Sequence, residues 1–213
     1  MWREDPCERR TMELIGMLDS PYVRRVAVTL HLLKQPFVHR PISVFSNFDS
    51  FRAINPVVKA PTLVCTNGQV LMDSTLIIDH VETVAGRSLM PADPRARQRA
   101  LRIVGLGLAV CEKAVQIVYE RQLRPPEKLH APWMERVKQQ LDAACAQLEA
   151  ELAARAPALE ATTIDQAGVT SAVAWRFTQE MVPGDVDARA HPATAHHARA
   201  AEGLEAFRAA PFA

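Results

Sequence analysis

The 213-residue sequence has no surplus of either charge: 25 Lys and Arg face 24 Asp and Glu, for a formal net charge of +1. A chain so balanced has no excess cations to neutralise a phosphate backbone, which sets nucleic acid aside as a partner. No apolar run approaches the roughly 18 residues that a bilayer-spanning helix needs, so no membrane partner is expected. The four cysteines, Cys7, Cys65, Cys111 and Cys145, form no CxxC and have no nearby histidine at zinc spacing. That is the pattern of reduced thiols in a cytoplasmic protein, not of a disulfide frame or a metal site. The opening "MWREDPCERRT" lacks the apolar stretch of a secretory signal and mixes acids with its arginines, so residues 1–11 are expected to be a flexible leader.

What is present is apolar surface and order. Hydrophobic residues make up 48% of the chain, enough to bury a real core. From Met12, "MELIGML" reads as a strand, "DSP" as a turn, and the run to Leu33 as an amphipathic helix with Ser20 as N-cap and Pro21 at its first position. "FVHRPI" reads as a second strand whose Pro41 points to an edge or an end. A loop with Phe45, Phe48 and Phe51 follows, with a helical turn stopping at Asn55-Pro56. Two short strands then flank Thr66-Asn67-Gly68-Gln69, where Asn-Gly signals a hairpin with positive φ at both positions. Asp73-Ser74 opens a helix that Gly86 ends.

Beyond "RSLMPADP" glycine thins and helical periodicity dominates from Arg95 to Leu152, broken at Arg124 to Glu127. The arginines at 95, 97, 99 and 102 read as a solvated helix face. Thr163 with Gln166 reads as a capping box opening another helix. His191, His196 and His197 lack a carboxylate or fourth partner at ligand spacing and are expected on the surface.

Taken together, "SPYVRRV" opening the first helix, "NPVVKAPTLV", the hairpin, "DST" opening the third helix and an all-helical second half resemble the soluble glutathione transferase family. The likeness runs over residues 12–213 and is to bacterial and plant-type members with Ser-Pro-aromatic at the first helix. It implies an α+β chain: a thioredoxin-like glutathione-binding domain over 12–86, a linker over 87–93, and an all-α C-terminal domain over 94–213. It also implies a homodimer, glutathione as co-substrate without any metal, and a small hydrophobic electrophile as second substrate.

The resemblance further assigns residues. Lys59-Ala60-Pro61 would be the segment with a cis-proline, Ala60 presenting its N–H and C=O to glutathione as to an added strand. Asp73 would pair with the γ-glutamyl ammonium, and Ser74 at the helix N-terminus would receive the γ-glutamyl carboxylate. Ser20 is the expected thiol-activating hydroxyl, with its capping role retained, since a hydroxyl accepts and donates at once. Tyr22 is the competitor and ranks second, because an aromatic in the first turn packs under a neighbouring loop. Arg24 and Arg25 are expected in surface ion pairs in preference to steering glutathione carboxylates.

No base stands in the 43–51 loop for the glycine carboxylate, leaving Lys59 or Arg52. Tyr22, Phe45 and Tyr119 are assigned to the second-substrate pocket. Trp133, Trp175 and Phe177 are further aromatic candidates, the two tryptophans being expected in the core. With no cysteine at the first-helix position, glutaredoxin-like thiol transfer is disfavoured. Kept open beside conjugation are a non-catalytic binding or regulatory protein and a peroxidase, ether-cleaving or dehalogenating enzyme.

Overall fold

The computed structural model describes residues 11–155 and 163–213. The expected leader, Thr11 excepted, and Cys7 lie outside the described residues. The chain divides into two compact units, residues 1–87 with Ala213, and residues 88–212.

The first unit runs β1 (Met12–Ile15), α1 (Pro21–Leu32), β2 (Phe37–Arg40), α2 (Phe48–Ile54), β3 (Thr62–Val64), β4 (Val70–Met72) and α3 (Ser74–Ala85). Its four strands lie in the order β2-β1-β3-β4. β1 and β2 are parallel, as a strand-helix-strand crossover requires, and β3 runs antiparallel to both β1 and β4. This is the thioredoxin-like arrangement the resemblance implied. β2 is an edge strand that ends one residue before Pro41, where a missing N–H costs no ladder bond. Leu14, Ile15, Leu63, Val23, Val26, Ile77 and Val81 are all completely buried, joining sheet, α1 and α3 in one core. Burial of each such side chain contributes about 1.5–3 kcal/mol.

Two expectations need local correction here. The first strand stops at Ile15, well short of Leu18, because Gly16 turns the chain at φ 136°. In the β3–β4 hairpin only Gly68 has positive φ, at 83°. Gly68 N–H donates to Cys65 O and Cys65 N–H to Gln69 O, both at 2.8 Å. Asn67 therefore sits in ordinary turn conformation with Gly68 alone left-handed, the three-residue form of hairpin with a glycine bulge.

The second unit holds α4 (Pro94–Leu123), α5 (Ala131–Ala153), α6 (Gln166–Met181), α7 (Pro192–Glu202) and the short α8 (Glu205–Arg208). Single 3-10 turns fall at Pro126–Lys128 and Ala188–Ala190. α6 is its centre, buried at every residue from Gln166 to Trp175 and packed on α4 and α7. Gly107 of α4 lets Thr170 approach: a Cβ there would sit 2.9 Å from Thr170 Cγ2. Leu89 is buried, and its carbonyl accepts from Gln166 N–H at 3.0 Å.

Three readings of this half are overturned. The N-cap of α6 is Asp165, whose Oδ1 accepts from Gly168 N–H at 2.8 Å, and Thr163 stands outside the helix. Ile164, 5% exposed, is the buried residue preceding that cap. Burying it fixes where the chain enters the helix, two residues later than the Thr163 pattern suggested. His197 is packed against α6 with its ring N–H donating to Gly168 O at 2.9 Å. Burial holds its pKa below the usual histidine value, the opposite of a surface histidine. Trp133 is 40% exposed on α5, whereas Trp175 is 5% exposed and lies in the core as expected.

Candidate functional site

Ser20 caps α1 from extended backbone, its Oγ accepting from Val23 N–H at 3.5 Å. That contact is long, so the hydroxyl is only lightly committed to capping and keeps its proton to donate. Arg24 N–H donates to Ser20 O at 2.9 Å, closing the first helical bond. Asp19, just ahead of it, is a carboxyl the sequence analysis passed over. Burial pushes its pKa up, and a hydrogen bond from Ser20 N–H only partly offsets this. Tyr22 is half-buried in the first turn.

Ala60-Pro61 is a cis peptide, as the resemblance implied. The loop leading to it is braced from below. Asn55, 3% exposed, donates from its side chain to Thr62 Oγ1 at 2.8 Å and accepts from Val57 N–H at 3.0 Å. Thr62 Oγ1 donates in turn to Lys59 O at 2.8 Å. Val58 is held at φ 52°, a left-handed conformation that a β-branched residue adopts only under constraint. Among the described residues neither the N–H nor the C=O of Ala60 has a hydrogen-bond partner. An open donor and acceptor on one half-buried residue is what an extended peptide needs to dock edgewise.

Asp73 caps α3 with Oδ1 accepting from Thr75 N–H at 2.9 Å, and its own φ is 72°. Its second oxygen lies 3.7 Å from Lys59 Nζ, an exposed contact worth little energy. Ser74 begins the helix, 3% exposed. Its hydroxyl accepts from Arg25 Nη1 at 3.0 Å, and Thr75 Oγ1 accepts from the same nitrogen at 3.1 Å.

Arg24 and Arg25 thus overturn the expectation of surface ion pairs, for each is 1% exposed. α1 is buried around most of its circumference, so charge pattern alone misplaced them. These contacts tie three segments of the first unit together. A Cβ at Gly16 would lie 2.6 Å from Val23 Cγ2 and 3.3 Å from Ala60 Cβ, which puts the Ala60 segment beside the first turn of α1. Lys59 meets Asp73, and Arg25 meets the first turn of α3. Ser20, Ala60-Pro61 and Asp73-Ser74 are therefore neighbours through their supports.

The remaining assignments fall elsewhere. Phe45 is 55% exposed in the turn before α2, while Phe51 is wholly buried. Tyr119 is 44% exposed on α4, in the second unit. Trp175 and Phe177 are core residues of α6 and leave the set of acceptor candidates. Arg52 pairs with Asp49 at 3.0 Å and lies over the Phe48 ring. Cys65 Sγ lies 3.6 Å from His80 Nε2, but burial raises the thiol pKa, so the contact is no activated nucleophile. Among the described residues no three His, Cys, Asp or Glu are grouped to hold a metal, and no helix is long and apolar enough to cross a membrane.

Asn55, Thr62 and Gly16 were missed in the sequence, and Arg25 was placed in a surface ion pair in preference to the glutathione carboxylates. Asn-Pro at 55–56 and a glycine at the end of the first strand were signals for two of them. Nothing in sequence separated Arg25 from a surface cation.

Comparison with known proteins supports the same domain. Residues 14–88 match the family described as glutathione S-transferase, N-terminal domain. A glutathione transferase family member from Pseudomonas fluorescens Pf-5, crystallised with bound glutathione, is 28% identical, with a TM-score of 0.79 over 93% of this chain and 98% of that one. A glutathione S-transferase from Methylobacterium radiotolerans JCM 2831, in complex with glutathione sulfonate, shares the fold at TM-score 0.84 and 24% identity over 96% of each chain. In sequence, the uncharacterized GST-like protein YibF of Escherichia coli K12 is 23% identical over 174 residues, 81% of this chain and 86% of its own. Residues 14–88 thus match the glutathione S-transferase N-terminal domain family, and the fold of the whole chain is that of the glutathione S-transferases.

Proposed function

We propose that the chain is a glutathione transferase of the Ser-Pro-aromatic kind, joining glutathione to the electrophilic carbon of a small apolar compound. The observation that carries this is the open N–H and C=O of Ala60, lying between the Ser20 end of α1 and the Asp73-Ser74 end of α3. The three fit three parts of one tripeptide. The cysteinyl unit pairs edgewise with Ala60. The γ-glutamyl ammonium takes the Asp73 carboxylate, displacing the loosely held Lys59, which is then released toward the glycine carboxylate. The γ-glutamyl carboxylate faces the first turn of α3, where helix N–H groups and the Ser74 hydroxyl favour an anion.

A free thiol of pKa ~8.5 is only a few per cent thiolate at neutral pH. Lowering that by about two units takes ~2.7 kcal/mol of selective anion stabilisation. The Ser20 O–H, donating to sulfur at the positive end of α1, supplies it. The sulfur lone pair then forms the new C–S bond while the acceptor's leaving group departs, or a proton is taken up where the acceptor adds. The enzyme forms no covalent bond, and the rest of the acceleration is proximity. The protein acts as a homodimer in the cytosol under this reading.

The test is calorimetric titration of glutathione into wild type and Ser20→Ala, with the thiolate absorbance of the bound ligand followed against pH. We expect wild-type thiol to titrate well below free glutathione and Ser20→Ala to lose that shift, lowering turnover about 100-fold. Absence of binding at millimolar glutathione would overturn the reading.

One observation favours a second reading, a transferase-like binding or regulatory protein. The 43–51 loop holds no lysine or arginine, and Arg52 pairs with Asp49, so the glycine carboxylate is left to Lys59 alone. Peroxidase, ether-cleaving and dehalogenating reactions share the same thiolate step, and an acceptor screen separates them from conjugation.

A further inference from the structure

We propose that Arg25 is the positioning residue for the γ-glutamyl carboxylate of glutathione, acting from beneath the first turn of α3; the inference rests on the glutathione reading above. Three observations converge. Arg25 is 1% exposed, so its guanidinium charge is not spread into solvent and acts at short range on what surrounds it. Its Nη1 donates to both hydroxyls of that turn, Ser74 Oγ at 3.0 Å and Thr75 Oγ1 at 3.1 Å. Its own carbonyl is held by Thr29 Oγ1 at 2.7 Å, so the backbone from which the side chain departs is also fixed.

The consequence for Ser74 is directional. A hydroxyl that accepts from a guanidinium turns its own proton away from that cation, and the proton is then presented to an outside acceptor. The buried positive charge and the positive end of α3 act in the same sense, so an anion at this turn is favoured by both. Beyond the Asp73 cap, whose Oδ1 takes the Thr75 N–H, the first turn of α3 carries no acidic residue of its own.

Arg25 also sets a length. It stands five residues beyond Ser20 on the same helix, so α1 carries the thiol-activating hydroxyl at its tip and grips the γ-glutamyl end of the site one turn later. A single rigid helix thereby fixes the spacing between the two ends of the ligand. A salt bridge on the protein surface would leave that spacing to two flexible side chains.

The experiment compares two ligands on three proteins: glutathione, and glutathione whose γ-glutamyl α-carboxylate is converted to the amide, titrated into wild type, Arg25→Gln and Arg25→Lys. Thermal unfolding of each variant accompanies the titrations. Wild type should prefer glutathione to the amide, and Arg25→Gln should bind glutathione about ten- to a hundredfold more weakly while barely changing for the amide. Arg25→Lys, which keeps the charge but not the fork, should recover part of the preference. Should Arg25→Gln fail to fold, Thr75→Val keeps the guanidinium and removes one of its anchors. Its expected loss of about two- to fivefold is confined to the carboxylate-bearing ligand.

Equal weakening of both ligands would mean that Arg25 only holds the fold, and would overturn the proposal. A preference retained in full by Arg25→Gln would overturn it as well. Wild type that binds neither ligand removes the glutathione reading itself, and this assignment with it.

Discussion

Both units bury polar side chains, but they spend them differently. In the helical unit the buried hydroxyls of Thr170, Ser171 and Thr178 each donate to the carbonyl four residues earlier in α6, at 2.8 Å. Those bonds stay within one helix and position nothing beyond it. In the first unit buried Arg25 reaches Ser74 and Thr75 some fifty residues on, the half-buried His39 ring N–H reaches Gly16 O at 2.8 Å, and buried Asn55 reaches Thr62 across the loop between them. Leaving one partner of such a bond unsatisfied costs about 1–3 kcal/mol, so a chain retains them where they hold a geometry. Long-range polar bonds also occur in the helical unit, from Thr194 to Glu149 and from His197 to Gly168, so reach alone does not mark the site; what sets the first unit apart is that its long-range bonds gather beneath the segments carrying Ser20, Ala60 and Ser74.

The comparison is broken most severely at Gly16. Its Cβ-less position touches Val23 and Ala60, and its φ is 136°. Gly16→Ala should cost on the order of 3 kcal/mol, from overpacking together with an unfavourable φ. The same change should weaken glutathione binding, because it pushes the Ala60 segment off α1. Chemical denaturation and titration calorimetry read the two effects.

Gly107→Ala is the matched change in the helical unit, with a Cβ 2.9 Å from Thr170 Cγ2. Its expected cost is smaller, about 1–2 kcal/mol, because the better helix propensity of alanine returns part of the overpacking penalty. Here stability should fall while the glutathione affinity of the folded protein stays unchanged. A shared loss of affinity would contradict the separation of scaffold from site.

The smallest effect sharpens the contrast through pH. Burial opposes ionisation of Glu149, but N–H groups of Ala193 and Thr194 and the Thr194 hydroxyl donate to it at 2.7–2.8 Å and hold its pKa below 4.5. A depressed carboxyl pKa gives stability that is present above the unfolded-state value and lost as pH falls through the folded one. Glu149→Gln should therefore lower stability at neutral pH and flatten the fall in stability below about pH 4.5, without moving the thiol titration. Melting temperatures across pH 3–7 test this.

How far the site was legible follows from the kind of signal each residue gave. Ser20-Pro21 and Asp73-Ser74 were readable because helix starts are local, set by a capping side chain and a few dihedrals. Gly86 ended α3 as expected for the same reason. Thr163 misled because two cap-like residues stand two apart, and burial of Ile164 chose between them. Asn67-Gly68 announced a hairpin correctly while leaving its turn type to the strands it joins. Arg25 and His197 failed in a common way: each has a residue type usually found at the surface, and each lies on a helix that packs on more than one side.

The sequence by itself determined the order of elements, the caps and the short segments that carry the chemistry, since periodicity, capping and turn residues act over a few neighbours. Tertiary structure alone decided that Arg25 lies under α3, that Ala60 keeps an open hydrogen-bonding pair beside α1, and that Asn55 and Thr62 brace the loop between them. Those contacts join residues up to fifty positions apart. Which polar group is desolvated, and against what partner, is a property of the packed interior that no local pattern encodes.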